Sequence, residues 1–273
     1  MIGIEDFLED IVGKAMRGIG ISTHQLAKLA NVSEAEINKL LDGQCAESVI
    51  NSIAPHLQLD PVSLLISAKK TWRPKDVALN GLEIFTSNWH NMKVNSFLVW
   101  DKSTGLAAAF DTGSDSKNLI ETAKYKNLEI TSIYLTHTHN DHIADLDKLM
   151  KSYPNANVYV SIKEPLSGAN LIDSGHQFKI GKLSGITYST HGHSIGGLTY
   201  FINGLERPVA IVGDALFAGS MGGGMVSYQN ALKTNRLYIF SLPDNTVVCP
   251  GHGPMTSIRE EKEKNPFYPE YKN

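Results

Sequence analysis

The sequence lacks the features that mark secreted and membrane-embedded proteins. Its two cysteines, Cys45 and Cys249, lie far apart, so we expect no disulfide framework, and a reducing cytoplasm fits this cysteine usage best. The N-terminus has neither a basic segment nor an uninterrupted apolar core, so no signal peptide is predicted. No apolar run approaches the roughly 20 residues that span a bilayer, and no membrane partner is therefore expected.

An excess of charge of one sign is also missing. The net charge is −3 over 273 residues, which gives no global attraction to nucleic acid or to an anionic membrane. Apolar residues make up 42% of the chain, an ordinary value for a soluble globular protein. The length allows one large or two smaller domains. Any indication of function must therefore come from local motifs.

Residues 1–70 carry the pattern of an all-helical domain. Ser22–Gln25 and Ser33–Glu36 have the form of capping boxes, and apolar residues follow each box at helical spacing. Gly43 is a typical C-terminal stop. The stretch from Ile21 to Gly43 resembles the helix-turn-helix of the Cro/C1-type repressor family, and the resemblance extends over residues 18–68. It implies a small helix-turn-helix bundle.

The charges of this region argue against a simple DNA reader. Residues 1–75 contain nine acidic and eight basic residues, whereas DNA-binding surfaces are rich in lysine and arginine. The expected recognition helix carries Glu34 and Glu36 against only Lys39. Glutamate can pair with cytosine and Asn38 could read adenine, so DNA remains a candidate partner. The alternative is a helix-turn-helix reused for dimerisation or for forming a pocket.

The texture of the sequence changes after a linker at residues 71–80, where Pro74 interrupts any helix. Strands and helices then alternate, which predicts an α/β layered domain over residues 81–273. Strands are predicted at Leu82–Thr86, Val94–Trp100, Leu106–Phe110, Glu129–Leu135, Asn157–Ser161, Ile186–Thr190, Leu198–Ile202, Pro208–Val212 and Thr246–Val248, and helices at Lys117–Lys126, Asp145–Lys151, Gln229–Leu242 and Thr256–Lys264.

A cluster of metal-capable side chains follows the predicted strand Glu129–Leu135. His137 and His139 are two residues apart, so they leave an extended segment on the same side. Asp141 and His142 come after the bend and can face the same space. Imidazole and carboxylate suit Zn²⁺, and also Fe or Mn. Without sulfur ligands, an open site is expected rather than a closed structural zinc site.

At this point the chain resembles the metallo-β-lactamase superfamily, and in particular its glyoxalase II-like branch. The segment Thr136–His142 matches the signature motif of that superfamily. Three later segments match in the right order, namely Thr190–Ser194, Gly213–Ser220 and Pro250–Pro254. The resemblance covers residues 82–267.

The resemblance implies a fold, a ligand set and a reaction. The fold is an αββα sandwich of two mixed sheets with helices on both outer faces. Two divalent ions, most simply zinc, would share a hydroxide that attacks a small ester, thioester or lactone. Asp141 would orient that nucleophile as the catalytic residue. The resemblance assigns His137, His139 and His193 to the first metal and Asp141, His142 and His252 to the second, with Asp214 bridging them.

Two positions depart from the family pattern. His191 stands where relatives usually have proline, and it is expected to be a non-ligand that could still reach substrate. The run Gly222–Gly224 stands where relatives often have glycine, arginine and an acidic residue. The missing arginine weakens the case for an anionic substrate such as a glutathione thioester.

Three further residues have competing interpretations. Asp111 resembles the aspartate that hydrogen-bonds a ligand histidine in this family, although it could equally cap the following helix. Cys249 is expected to be a buried strand residue rather than a nucleophile. His90 is expected in a hairpin turn rather than at a pocket mouth, and His24, His56 and His176 are expected at the surface or in packing.

Three functions remain open on the sequence alone. The first is a cytoplasmic hydrolase acting on a small-molecule substrate, expected as a homo-oligomer. The second is a DNA-binding transcriptional regulator whose metal-containing domain senses a ligand. The third is an iron enzyme with one metal, resembling persulfide dioxygenases. Metal stoichiometry and a salt-dependent shift of duplex DNA would discriminate among them.

Overall fold

A computed structural model describes residues 2–272 of the chain, and its first part is helical. Both expected capping boxes form. In the first, the Ser22 hydroxyl accepts from the Gln25 amide at 3.2 Å, while the Gln25 side chain accepts from the Ser22 amide at 2.9 Å. The helices are α1 Leu8–Ile19, α2 Thr23–Ala30, α3 Glu34–Leu41, α4 Glu47–Ile53 and α5 Pro61–Ala68, with a 3₁₀ turn at Ala54–Leu57.

Strands dominate the remainder of the chain, and most lie where the apolar pattern predicts them. The strands are β1 Leu82–Trp89, β2 Met92–Trp100, β3 Leu106–Phe110, β4 Glu129–Tyr134, β5 Asn157–Ser161, β6 Asn170–Ile172, β7 Gln177–Ile180, β8 Leu183–Ser189, β9 Leu198–Asn203, β10 Val209–Gly213, β11 Val247–Pro250 and β12 Thr256–Ser257. The helices are α6 Lys117–Tyr125, α7 Asn140–Ile143, α8 Leu146–Ser152, α9 Tyr228–Thr234 and α10 Ile258–Lys264.

The strands form two six-stranded sheets that pack face to face. One sheet has the order β1-β2-β3-β4-β5-β6, and the other has the order β12-β11-β10-β9-β8-β7. The core between them is aromatic: the rings of Phe110 and Tyr134 lie 5.3 Å apart, and the Tyr200 ring from the other sheet lies 5.2 Å from Tyr134. The alternation of side chains along each strand leaves a second apolar set on each outer face.

Helices cover both outer faces, so the predicted αββα sandwich is confirmed. On the first sheet, Leu119 and Ala123 of α6 and Leu149 of α8 pack over buried residues such as Ile133. On the second sheet, α9 packs over Phe201, Ala210 and Val212.

The N-terminal helices belong to this second outer layer. Leu8, Ile11 and Ile50 lie in the same continuous apolar core as Leu232 of α9 and Tyr268. Residues 71–80 run along the second part: Trp72 packs on Gly219, and the Lys75 amide donates to Glu260 at 2.9 Å. The described helices include none long and apolar enough to cross a membrane.

Three element predictions need correction. Gln229–Leu242 is not one α-helix, because α9 gives way to a π-helical turn at Asn235–Ile239. The buried Asn235 side chain donates to the Ala215 carbonyl at 2.6 Å, so a tertiary contact holds the start of this turn. The helix predicted from Thr256 begins at Ile258, because Thr256 and Ser257 first pair with β11. Strands β6 and β7 were not predicted.

Candidate metal centre

The seven predicted ligand residues all lie at one edge of the sandwich. They follow strands β4, β8, β10 and β11, whose C-terminal ends meet at this edge. The short helix α7 turns the chain immediately after His139, so that Asp141 and His142 face back toward the strand ends. The residues brought together are His137, His139, Asp141, His142, His193, Asp214 and His252.

These side chains form three overlapping groups whose nitrogen and oxygen atoms could hold metal ions. The first contains His137, His139 and His193, and the second contains Asp141, His142 and His252. The third, His137, His142 and Asp214, shares a histidine with each of the other two. Within each group the candidate ligand atoms lie within 4.8 Å of one another. The first two groups are the ligand sets implied by the family resemblance.

Asp214 lies between the first two groups. One carboxylate oxygen is 3.3 Å from His142 Nε2, and the other is 3.4 Å from both His193 Nε2 and His252 Nε2. The carboxylate therefore contacts a histidine of each of these two groups.

Main-chain and side-chain partners fix the orientation of four imidazoles. His193 Nδ1 lies 2.9 Å from the Gly223 carbonyl oxygen, and His252 Nδ1 lies 2.5 Å from that of Lys93. His137 Nδ1 lies 3.0 Å from the Thr136 hydroxyl. In His142, Nδ1 is likewise occupied by Asp111, so all four rings keep Nε2 for the centre.

Asp111 hydrogen-bonds a candidate ligand histidine, which is the first of the two roles considered for it from the sequence. Its carboxylate accepts from His142 Nδ1 at 2.8 Å and from the Thr136 amide and hydroxyl at 2.7 Å each. Asp111 itself is held in the left-handed region with φ of 55°. It therefore orients both the His142 ring and the turn that leads to His137.

A second carboxylate, Glu164, joins two of the ligand-bearing loops. It accepts from the Thr138 amide at 2.8 Å and the Thr138 hydroxyl at 3.0 Å, and from the Gly196 amide at 2.8 Å. Thr138 lies between two candidate ligands, and Gly196 lies three residues after His193. Burial raises the pKa of Glu164, but these hydrogen bonds outweigh it and lower the pKa.

The Asp214 carboxylate favours the cationic form of two of the imidazoles. Burial alone lowers the pKa of His142 and His252, but the Asp214 carboxylate and further hydrogen-bond partners raise them to about 10 and about 11. Burial raises the pKa of Asp214, but the charges of His252 and His142 hold it well below its usual range. His137 is fully enclosed, and burial lowers its pKa.

Two glycines allow the backbone to approach the centre. A Cβ at Gly251 would lie 2.2 Å from an Asp214 carboxylate oxygen and 2.6 Å from His142 Cε1. A Cβ at Gly222 would lie 1.9 Å from the Asp214 carbonyl oxygen and 3.0 Å from His193 Nδ1. The glycine run that departs from the family pattern therefore packs closely against Asp214 and His193. Its Gly223 carbonyl also orients the His193 ring.

The remaining sequence candidates lie outside the centre. His191 contacts the Ser189 hydroxyl at 3.1 Å and is not among the grouped side chains. His90 forms the turn between β1 and β2, as expected. Cys249 is a buried residue of β11, also as expected. Sequence reasoning missed the Gly223 and Lys93 carbonyls, because main-chain acceptors leave no trace in side-chain identity. It also missed the Glu164 carboxylate, because Glu164 lies outside the four motif segments.

The donor set fits divalent metal ions. Histidine nitrogen and carboxylate oxygen, with no cysteine, are the ligands of catalytic rather than structural zinc. Within residues 2–272, the buried His142 Nε2 and Asp214 Oδ1 have no hydrogen-bond partner. Two orphaned polar atoms facing one another at the centre are what a bound cation would satisfy.

Comparison with known proteins supports this interpretation. The family model described as the metallo-beta-lactamase superfamily matches residues 91–252. A probable metallo-hydrolase of Streptococcus pyogenes is 32% identical over 199 residues, which cover 63% of this chain and 84% of that protein. A hydroxyacylglutathione hydrolase of Salmonella paratyphi A is 27% identical over 64% of this chain, and the match spans 65% of the relative's length. Among solved structures, the BLEG-1 B3 metallo-beta-lactamase is 27% identical, with a TM-score of 0.60, and the match covers 68% of this chain and 99% of that one.

The chain belongs to the metallo-β-lactamase superfamily. The matched family region contains the described candidate ligands and lies wholly after the five N-terminal helices.

Proposed function

We propose that the chain is a metal-dependent hydrolase that cleaves a small ester, thioester or lactone. The observation that carries the proposal is the convergence of five imidazoles and two carboxylates at one edge of the sandwich, with four of the rings oriented through Nδ1. The metallo-hydrolase and hydroxyacylglutathione hydrolase names of the relatives agree with this class of reaction.

We assign the residues as two ligand sets that share one carboxylate. His137, His139 and His193 would hold one ion, and Asp141, His142 and His252 would hold the other, with Asp214 reaching both. Zinc suits these donors best, and iron or manganese would also fit them. Bound there, the ions would lower the pKa of water and polarise a carbonyl oxygen.

The protein's own groups would then orient the reactants. Asp141 keeps an ionised carboxylate. Burial raises its pKa, but the hydrogen bond from His252 and the charge of His142 outweigh burial and lower the pKa overall. An ionised carboxylate can accept a hydrogen bond from the attacking water and hold it in place, which gives Asp141 its proposed catalytic role. The Gly222–Gly224 segment keeps competing side chains away from His193.

Metal content and turnover test the proposal together. We expect protein purified without added metal to carry about two divalent ions per chain, and the metallated protein to hydrolyse at least one member of an ester, thioester and lactone panel. The variant His137→Ala should lose at least the first ion, because it removes one of that ion's three imidazoles. The exposed His56→Ala should retain both ions as a matched control.

Three results would count against the proposal. Full metal retention in His137→Ala would overturn the ligand assignment. No turnover of the panel by fully metallated protein would overturn the hydrolase. A single iron per chain, with sulfite formed from a persulfide, would replace it with an oxygenase.

A further inference from the structure

The segment before α1 lies directly beside the candidate metal centre. A Cβ built on Gly253, the residue after His252, would be 3.3 Å from the Glu5 amide nitrogen, 3.4 Å from Glu5 Cβ and 3.7 Å from the Gly3 carbonyl oxygen. The N-terminal backbone therefore passes in van der Waals contact with the loop that carries His252.

Buried polar contacts anchor this segment to the chain that follows Asp214. The Asp6 carboxylate accepts from the Ser220 hydroxyl at 2.6 Å and forms a buried ion pair with Lys14 of α1. Lys14 also donates to the Met221 carbonyl at 2.9 Å. A hydrogen-bonded pair removed from water holds its partners in one geometry, because breaking it leaves an uncompensated charge.

A row of contacting side chains runs from α1 to the centre. The Lys14 ammonium lies 5.0 Å from the centroid of the Phe217 ring, and the Phe217 ring lies 5.5 Å from the His252 ring, nearly perpendicular at 81°. The N-terminal helices thus contribute one wall of the site, on the side of His252.

Glu5 adds to this wall a carboxylate that has no ion-pair partner among residues 2–272. Its side chain is half-buried and makes no hydrogen bond or ion pair with any residue from 2 to 272, whereas the neighbouring Asp6 and Lys14 neutralise each other. Burial raises the pKa of Glu5 and the charge of His252 lowers it, in keeping with the contact between Glu5 and the loop that carries His252.

We propose that Glu5, supplied by the N-terminal helical part of the chain, is a specificity-determining residue that favours substrates bearing an ammonium group on the His252 side and disfavours anionic ones there. The inference rests on the proposed hydrolase function and names the substrate class for the same site. It also gives the helical part a role, because without it the wall and its charge would be absent.

Matched substrates of three charges test the inference. Three thioesters of equal acyl length would end in an ammonium, a methyl or a carboxylate group, and kcat/KM would be measured for each with metallated protein. The wild type should prefer the ammonium substrate to the carboxylate one. The variant Glu5→Gln should reduce that preference about tenfold, mainly through KM, as expected for losing one charge–charge interaction at intermediate dielectric. The variant Glu5→Lys should invert the preference.

A charge-matched control separates a local from a global effect. Glu129→Gln removes an exposed carboxylate at the start of β4, the end of the strand far from His137, and it should keep the wild-type preference. High salt should shrink the preference of the wild type but not that of Glu5→Gln. Metal content and circular dichroism should be the same in all four proteins.

Calorimetric binding of uncleavable thioether analogues provides a measurement that does not depend on turnover. Tighter binding of the ammonium analogue that is lost in Glu5→Gln supports the inference. Equal preference in Glu5→Gln and Glu129→Gln, in kinetics or in binding, overturns it and leaves the hydrolase intact. If no ester, thioester or lactone of the panel is cleaved but the binding preference depends on Glu5, the hydrolase fails and the charge selection stands.

Discussion

Glu261 is a fully buried carboxyl group that supports the chain after Asp214. It accepts from the Gly219 amide at 3.0 Å, from the Thr256 hydroxyl at 2.9 Å and from the Asn265 amide at 2.8 Å. Asn265 also donates to the Ser220 carbonyl at 2.7 Å, so the pair ties α10 to this loop. Burial raises the pKa of Glu261 to about 7 even though the three donors lower it.

This shift predicts a pH dependence of stability. Because the pKa rises from its ordinary 4.5 to about 7 on folding, the native state binds more protons than the unfolded state between these values. The contribution of Glu261 is therefore greatest below pH 4.5 and is lost as the pH rises through 7. In urea unfolding at several pH values, Glu261→Gln should show a shallower fall of the free energy of unfolding across this window.

The exposed Glu263→Gln on the same helix is the control and should keep the wild-type slope. Comparing slopes rather than absolute stabilities separates the titration from any packing cost of the substitution. Identical slopes for Glu261→Gln and the wild type would refute the assignment.

At the scale of residues, the sequence predicts the candidate ligands but, apart from Asp111, not the groups that orient them. His137 and His252 can be recognised as candidate ligands from their residue type and their place in the motifs. Their positioning groups are a neighbouring hydroxyl and the Lys93 carbonyl, which any residue at position 93 would offer. Glu5 is missed for a different reason: its contact with the Gly253 loop joins the two ends of the chain, and no local pattern marks such a contact.

At the scale of elements, α1 contains two glycines in opposite situations. Gly18 packs directly against α9: a Cβ there would lie 2.2 Å from Cγ of the Tyr228 ring. A Cβ at Gly13 would meet only the flexible end of the Arg17 side chain, at 3.0 Å. The same substitution at the two positions therefore separates interhelical packing from helix propensity.

We expect Gly18→Ala to destabilise the protein by about 1–3 kcal/mol, because a methyl group forced into a packed interface moves the ring or the helix. Gly13→Ala should instead be neutral or stabilising by up to about 1 kcal/mol, the gain in helix propensity of alanine over glycine. Chemical denaturation of both variants measures the difference. A stabilising Gly18→Ala would show that α1 and α9 do not pack as described.

The predictable elements are those with strong local signals. The capping boxes at Ser22 and Ser33 locate α2 and α3 correctly. The short strands β6 and β7 have only three and four residues, too few for an alternating pattern to stand out. The π-helical turn after α9 is accompanied by a tertiary contact of Asn235. The local sequence there still predicts an α-helix, so the turn could not be predicted. The helix-turn-helix resemblance itself stays a prediction.

For the whole molecule, the decisive feature is one apolar core shared by the N-terminal helices and the second sheet. Residues of α1 and α4 and residues of α9 and β10 belong to the same buried cluster. Parts of a chain joined in this way unfold together, since neither can expose its face of the core without a large hydrophobic cost.

Unfolding in urea should therefore be a single transition. All three tryptophans, Trp72, Trp89 and Trp100, lie after the helical part, so their fluorescence reports the sandwich, whereas ellipticity at the helical minimum also reports α1–α5. The two midpoints should coincide, and a fragment starting at residue 71 should be aggregation-prone or have a strongly lowered Tm. Two separated midpoints, or a fragment as stable as the full chain, would show independent domains.

The position of Gly3–Glu5 beside His252 has a practical consequence for handling the protein. A hexahistidine tag fused before this segment would bring six more imidazoles to the edge of a centre already built from five. Metal counts measured on such a fusion would include ions bound by the tag as well as ions bound by the candidate centre. Purification through a C-terminal or cleavable tag avoids this artefact.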